Sequence, residues 1–305
     1  MSHTPELSLK TPPGFDFWRT AFSHGWCALV PFSHDPERQQ LERTLQLSDG
    51  TIVHCILIGS PGTITIRLSS SSVLPHTRKQ EAVQQLRTCL RLDEDFSDFH
   101  AEANRIPEFR WVVRSGAGRL LRAPTVFEDA VKTICTTNCT WGLTTLMVTN
   151  LVRRAGRRLN DSQCAFPTPE AVASLSEKVL RREVKAGYRS PFLLELARRV
   201  SSGEIDIESW RSSPLPSDEL FTAIRSVKGM GPYAAGNMLK LLGRYDELAL
   251  DSWVRAKYYE LHRKGRKVKD ATIEKDYARF GKWRGLFFWL EMTREWHADK
   301  FHLPV

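Results

Sequence analysis

Hydrophobic and polar positions change their period about a third of the way along this chain. Four short β-branched or alternating runs come first: Trp26–Phe32, Leu41–Leu47, Thr51–Gly59 and Thr63–Leu68. Turn signals separate them at Ser33-His34-Asp35-Pro36, Ser48-Asp49-Gly50 and Ser60-Pro61-Gly62. The pattern predicts an antiparallel sheet. Arg78–Leu92 then sets Val83, Leu86 and Leu90 at helical spacing, enough to cover one sheet face. From about Pro124 the texture turns helical. Phe127–Ala155 is apolar nearly all round, as for a buried central helix broken once. Thr168-Pro169-Glu170 supplies a cap, a first-turn proline and an acidic first turn. Further helices are expected at Pro191–Val200, at Asp218–Val227 prepared by Ser217, at Ala271–Phe280 and at Leu286–His297. The expected fold class is α+β, with no internal repeat. A polar, proline-bearing tail of residues 1–13 precedes an antiparallel β-rich N-terminal domain (14–115) and a mainly α-helical domain (116–305).

Charge sharpens this division. The net charge is +9, yet residues 1–110 hold 11 Lys and Arg against 13 Asp and Glu, while residues 111–305 hold 33 against 22. A polyanionic partner would therefore meet the helical part. Six scattered cysteines and no secretory leader at the N-terminus point to a reducing intracellular compartment, cytoplasmic (nucleoid-associated) or nuclear. No apolar run approaches membrane-spanning length, so no membrane partner is expected. Cys135 and Cys139 are spaced to share a helix face, but no second Cys or His pair stands nearby to complete a metal site.

The stretch from Phe221 to Arg255 carries the chemistry. A short amphipathic helix ends at Lys228-Gly229-Met230-Gly231, and Pro232 opens a second helix. Glycines there permit positive φ and close backbone approach, and the N–H groups that start the second helix suit a phosphate. The turn's carbonyls, those of Val227 and Met230, can also hold a monovalent cation, Na+ or K+. The plain alternative is a tight packing turn. Asp251 follows Leu248-Ala249-Leu250 and precedes Ser252-Trp253-Val254, apolar company in which a carboxylate either caps the next helix or serves chemistry. Both roles are compatible.

Together the hairpin and Asp251 resemble the helix-hairpin-helix and Gly/Pro-rich-loop aspartate signature of the DNA glycosylase superfamily. Gly116–Val152, through Phe127-Glu128 and Ile134–Asn138, is similar to the first long helical segment of its 8-oxoguanine glycosylase and 3-methyladenine glycosylase II branches. The resemblance implies a partner, double-stranded DNA containing a damaged base, and excision of that base by a monomer needing no cofactor. The four-cysteine iron–sulfur loop of some relatives is missing, so no cluster is expected. Asp251 would be the catalytic residue, stabilising the oxocarbenium character that develops on the sugar and orienting water. Lyase-competent relatives carry a lysine where this chain has Tyr233, which implies a monofunctional enzyme that leaves an abasic site. Lys240 is expected on the exposed face of the second helix.

Lys228, Gly229, Met230, Gly231, Tyr233 and Arg255 are the expected DNA-backbone contacts. Arg255 heads a basic run that extends to Lys269 and has a simpler reading as a solvated loop. The base pocket or wedge falls to Asn138, Trp141, Tyr188, Tyr233, Trp253 and Phe287, with Trp289 beside them. Asn138 would fill the gap left by a flipped base or, more plainly, cap or kink a helix, and most such aromatics are core. Trp253 departs from the histidine often found there. The aromatic supply tilts the expected lesion towards alkylated purines. An oxidised-purine glycosylase and a non-enzymatic lesion-binding protein are the alternatives.

Overall fold

The computed structural model describes residues 6–297 of the chain. Among them five strands form one antiparallel sheet: β1 (Glu6–Lys10), β2 (Phe32–Asp35), β3 (Gln40–Gln46), β4 (Ile52–Ser60) and β5 (Thr63–Ser70), in the order β1-β5-β4-β3-β2. Residues of one parity on β3–β5 face the core. Leu41 and Leu45 on β3, Val53, Cys55 and Leu57 on β4, and Ile64, Ile66 and Leu68 on β5 are all buried.

Two expectations for this region need correction. The supposed loose tail contains β1, in which Leu7 and Leu9 sit opposite Ile66 and Ile64 and alternate with polar residues. Its charged ends suit an edge strand. Trp26–Phe32 is not a strand either. Gly25–Ala28 make a single 3-10 turn, and β2 starts only at Phe32. Trp26, Cys27 and Leu29 are all buried, so this run packs on every side and lacks the alternation of a half-buried strand.

Helix α1 (Phe17–Ala21) lies so close to β4 that a Cβ on Gly59 would meet the Phe17 side chain at 2.4 Å. α2 (His76–Leu90) sets Ala82, Leu86 and Leu90 into the core, and α3 (Ser97–Arg105) and α4 (Arg110–Ser115) follow. The central helix is broken once: α5 (Val126–Thr136) and α6 (Trp141–Ala155) flank a turn in which Asn138 takes φ +46°. Thr125 and Thr140 cap the two halves through their hydroxyls, and the Glu208 carboxylate accepts the Val126 and Phe127 N–H groups at 2.8 and 2.9 Å. Then come α7 (Pro169–Ala173), capped by Thr168, α8 (Glu177–Arg182), α9 (Ser190–Ser201) and α10 (Ser217–Arg225). α11 (Pro232–Leu242), α12 (Ser252–Arg263), α13 (Asp270–Tyr277) and α14 (Arg284–Met292) follow in turn. Ser217 does not cap α10 with its side chain, since its hydroxyl donates to Asp246 at 2.5 Å.

Hydrophobic packing does not divide where the chain texture changes. One cluster joins the sheet, α1 and α2 to α5, α6 and α9–α11. A second joins Phe96, Phe99, Phe109 and Val112, from the N-terminal side of the expected boundary, to Tyr258, Tyr277, Leu286, Phe287 and Phe288. Sheet and helices are also tied by charge. Arg43 on β3 makes two hydrogen bonds to Glu128 on α5, at 2.9 and 2.5 Å, and Lys132 meets the same carboxylate at 2.7 Å. All three side chains are buried. No described helix is long and apolar enough to cross a membrane.

Candidate active site

The α10–α11 hairpin turns through Gly229 at φ +89°, and the Val227 carbonyl accepts the Met230 N–H at 3.0 Å. Met230 is buried and anchors the turn from below. Gly231 precedes α11, and a Cβ there would meet nothing within 4 Å, so this corner stands open to solvent. Pro232 occupies the first helical position, where no N–H is missed, and the next first-turn N–H groups have no intrahelical acceptor. Unpaired donors at the positive end of a helix, beside the open Gly231 corner, suit an anion. The Val227 carbonyl keeps one lone pair after its turn bond, which suits a share in cation binding.

Beyond α11 the chain returns close against it. A Cβ on Gly236 would stand 2.9 Å from that of Ala249, and Ala249 itself takes φ +56°. This left-handed residue, uncommon for alanine, aims the following segment back at the helix. Asp251 caps α12, its Oδ1 accepting the Val254 N–H at 2.8 Å. The Tyr233 phenol stands beside Asp251; burial first, and then the carboxylate's charge, hold its pKa above the ordinary phenol range.

Asp251 and Tyr233 open onto a cavity of about 350 Å³. Five indoles stand in its walls: Trp26, Trp141, Trp253, Trp289 and Trp296. Trp253 and Trp296 lie 5.2 Å apart at 30°, and Trp289 meets Trp296 edge-on at 5.6 Å. Trp26 and Trp289 are pinned by their N–H groups, to Asp129 at 2.8 Å and to the Ser23 carbonyl at 3.0 Å. Gly25 leaves room for Trp141, whose ring would lie 2.3 Å from a Cβ at that position. Such rigid aromatic walls fit a planar heterocycle.

Helix α11 contributes Tyr233, Asn237, Lys240 and Leu241 to this cavity, one face at helical spacing. Lys240 is thus not on the exposed face: it is only 3% exposed, and its Nζ donates to the Leu248 carbonyl at 2.7 Å. Burial pushes its pKa down to about 7, against the pull of the Asp251 and Glu247 charges. His24 lines the same space. Its Nε2 lies 2.5 Å from the Leu121 carbonyl, and desolvation lowers its pKa to about 4, so the ring is neutral.

The chain superposes on a 3-methyladenine DNA glycosylase from Archaeoglobus fulgidus with a TM-score of 0.74, at 19% identity, over 95% of this chain and 98% of that one. It superposes on an 8-oxoguanine glycosylase/lyase from Clostridium acetobutylicum, solved with double-stranded DNA containing cytosine opposite 8-oxoG, with a TM-score of 0.70 at 20% identity, over 97% and 99% of the two chains. The Schizosaccharomyces pombe 3-methyladenine DNA glycosylase Mag1, solved with abasic DNA, gives 0.52 at 18% identity over 66% of this chain and 96% of its own. No family model and no curated protein matches the sequence. At these identities the likeness is one of architecture. The chain has the fold of the helix-hairpin-helix DNA glycosylases.

Within that fold, Tyr233, Asp251, Trp141 and Trp253 come together around one cavity, while the hairpin turn, residues 227–231, lies just ahead of Tyr233 and does not line it. Asn138 does not line it but stands exposed in the adjoining α5–α6 turn, its amide 3.4 Å from the Tyr188 hydroxyl. Tyr188 is likewise outside the cavity, on that turn's surface, where Arg189 grips the Thr137 carbonyl beneath it. Phe287 belongs elsewhere: it is fully buried in the second core, with ring centroids 4.7 Å from Phe109 and 4.6 Å from Phe280. An apolar helix face gives no sign of which core its aromatics enter. Lys228 and Arg255 are both engaged in ion pairs, with Glu195 at 2.7 Å and with Asp270 through two bonds of 2.8 Å. Among the described residues no three Cys, His, Asp or Glu gather as a metal site, and all six cysteines are free.

Sequence reasoning missed Trp26, Trp296, His24 and Lys240. Only Lys240 left a signal, a lone cation inside Met238-Leu239-Lys240-Leu241-Leu242, seven residues after Tyr233.

Proposed function

We propose that this chain is a monofunctional DNA glycosylase that flips a damaged base from duplex DNA and hydrolyses its N-glycosidic bond. The observation that carries the reading is the carboxylate of Asp251, fixed by a helix cap at the edge of an indole-walled cavity and next to an exposed anion-binding hairpin. The hairpin N–H groups around Gly229–Tyr233 would hold a backbone phosphate, with a monovalent cation on the Val227 and Met230 carbonyls adding positive charge. Lys228 and Arg255 would exchange their carboxylate partners for phosphates. Asn138, in a turn that protrudes beside Tyr188, would occupy the gap left in the duplex.

The base would enter between the indoles, which places C1′ of its sugar near Asp251. As the C1′–N bond breaks, positive charge develops on the sugar. The carboxylate stabilises it and takes a proton from the attacking water. Tyr233 stands where an attacking amine would be in lyase-competent relatives, and a phenol forms no imine. The protein acts as a single chain in this scheme, and nothing in it requires a cofactor.

The test is base release from duplex oligonucleotides carrying alkylated, oxidised or deaminated bases, with Asp251→Asn alongside. Asparagine keeps the helix cap, so the variant should fold, and release should fall about 10²–10³-fold or more. Products should be alkali-labile abasic sites with no borohydride-trapped adduct. A trapped adduct would refute the monofunctional part, and release that persists unchanged in Asp251→Asn would refute the role of Asp251.

A further inference from the structure

Resting on the glycosylase reading, the geometry points to Lys240 as the residue that chooses the class of base. Its ammonium would admit neutral bases that present a carbonyl oxygen, oxidised or deaminated ones, and reject cationic alkylated purines. This reverses the tilt towards alkylated bases that the aromatic content alone suggested.

Lys240 lies two turns along α11 from Tyr233 on the same helix face, and its side chain lines the same cavity within reach of the Asp251 charge. Tyr233 and Asp251 mark where the sugar reacts, so Lys240 stands where the base itself would lodge. An ammonium carries three donors. Among the described residues one is taken by the Leu248 carbonyl at 2.7 Å, and no carboxylate forms an ion pair with it. The other groups facing it are the Asp251 and Glu247 charges, the neutral His24 ring, the Tyr233 phenol and the Trp289 face, 5.8 Å from the Nζ. A buried cation with spare donors is costly to maintain and asks for an acceptor. A carbonyl on a base edge supplies one. A methylated purine brings a second positive charge into the same low-dielectric space and is repelled.

The chemistry favours the same assignment. A neutral base leaves with the electron pair of the C1′–N bond and so departs as an anion. Water forms the new C1′–O bond, its proton passes to Asp251, and the Lys240 ammonium stabilises the negative charge on the departing base. A cationic alkylated base leaves neutral and needs no such donor.

The experiment compares release of 8-oxoguanine, hypoxanthine and uracil with release of 3-methyladenine and 7-methylguanine, by the wild type and by Lys240→Met. Wild type should release at least one neutral base and neither methylated one at a comparable rate. Lys240→Met should lose that release by about a hundredfold and gain on the methylated bases. Folding of the variant is checked by thermal melting. The second readout is the alkaline limb of the wild-type pH profile, which a structural role of Lys240 would not produce. With the free-enzyme ammonium titrating at about 7, kcat/KM for a neutral base should fall about tenfold per pH unit on the alkaline side. Lys240→Met should lack that limb. Preferential release of methylated bases by the wild type, or rates and pH profiles shared by wild type and Lys240→Met, would overturn the role of Lys240 and leave the glycosylase reading standing. Absence of release from every substrate would sink both.

Discussion

Lys132 and Lys240 are both buried, and their surroundings differ. Lys132 on α5 joins Glu128 at 2.7 Å, while Arg43 from the sheet takes the rest of that carboxylate. Burial alone would raise the Glu128 pKa, but the Arg43 and Lys132 charges outweigh it and hold the group ionised, below the usual carboxylate range. Lys240 on α11 has one carbonyl and a cavity. The first cation belongs to a closed network at the sheet–helix interface. The second has a single carbonyl bond, and both lysines stay in the interior. Burial lowers the pKa of both, but Lys132 has a carboxylate in contact and, among the described residues, Lys240 has none.

That contrast yields opposite signs for stability. Glu128→Leu would strand two buried cations and should destabilise the protein by about 3–5 kcal/mol, read as a lower denaturant midpoint at unchanged slope. Lys240→Met removes a desolvated cation and should stabilise it, by about 1–4 kcal/mol. The sign follows from linkage. A lysine pKa depressed in the folded state means that the unfolded chain binds more protons, so stability at pH 7 is below its alkaline value and rises with pH above about 7. Lys240→Met should remove the Lys240 share of that rise and leave the share of Lys132, whose pKa burial also lowers. Destabilisation by Lys240→Met instead would make the two lysines alike and break the comparison.

A smaller effect separates packing from charge. Gly25→Ala would push Trp141 from the cavity wall, because the added Cβ would meet the ring at 2.3 Å. It should cost about 1–3 kcal/mol and lower base release without altering its pH profile. Weaker still is the acid response. His24 has its pKa lowered to about 4 by burial, so the unfolded chain takes up its proton first as pH falls. His24 should contribute about 1–2 kcal/mol to the loss of stability between pH 7 and 5, beside the shares of His54, His100 and His297, and His24→Gln should remove its share.

Much of this could be read before the fold was seen, wherever the information was local. The strand periods of β3–β5, the break between α5 and α6, the Thr168 cap and the hairpin all follow from residues within a turn or two of one another. β1 was lost in a polar tail because an edge strand needs only two apolar residues, Leu7 and Leu9, and its partner lies more than fifty residues away. Phe287 and Trp289 are two positions apart on one helix, yet one enters the second core and the other the cavity. Periodicity gives a helix its faces but not its neighbours.

The hairpin, its cap-bearing carboxylate and the absence of an amine at Tyr233 were settled within the chain itself, since each is a matter of residue type and short spacing. What surrounds the carboxylate was settled only by the packing of distant segments. Trp26 arrives from the edge of the sheet, Trp289 and Trp296 from the last helical turns, and α11 is rotated so that Lys240 faces inward. Burial depends on which surfaces meet, and that meeting turned an ordinary helix lysine into a desolvated cation next to Asp251.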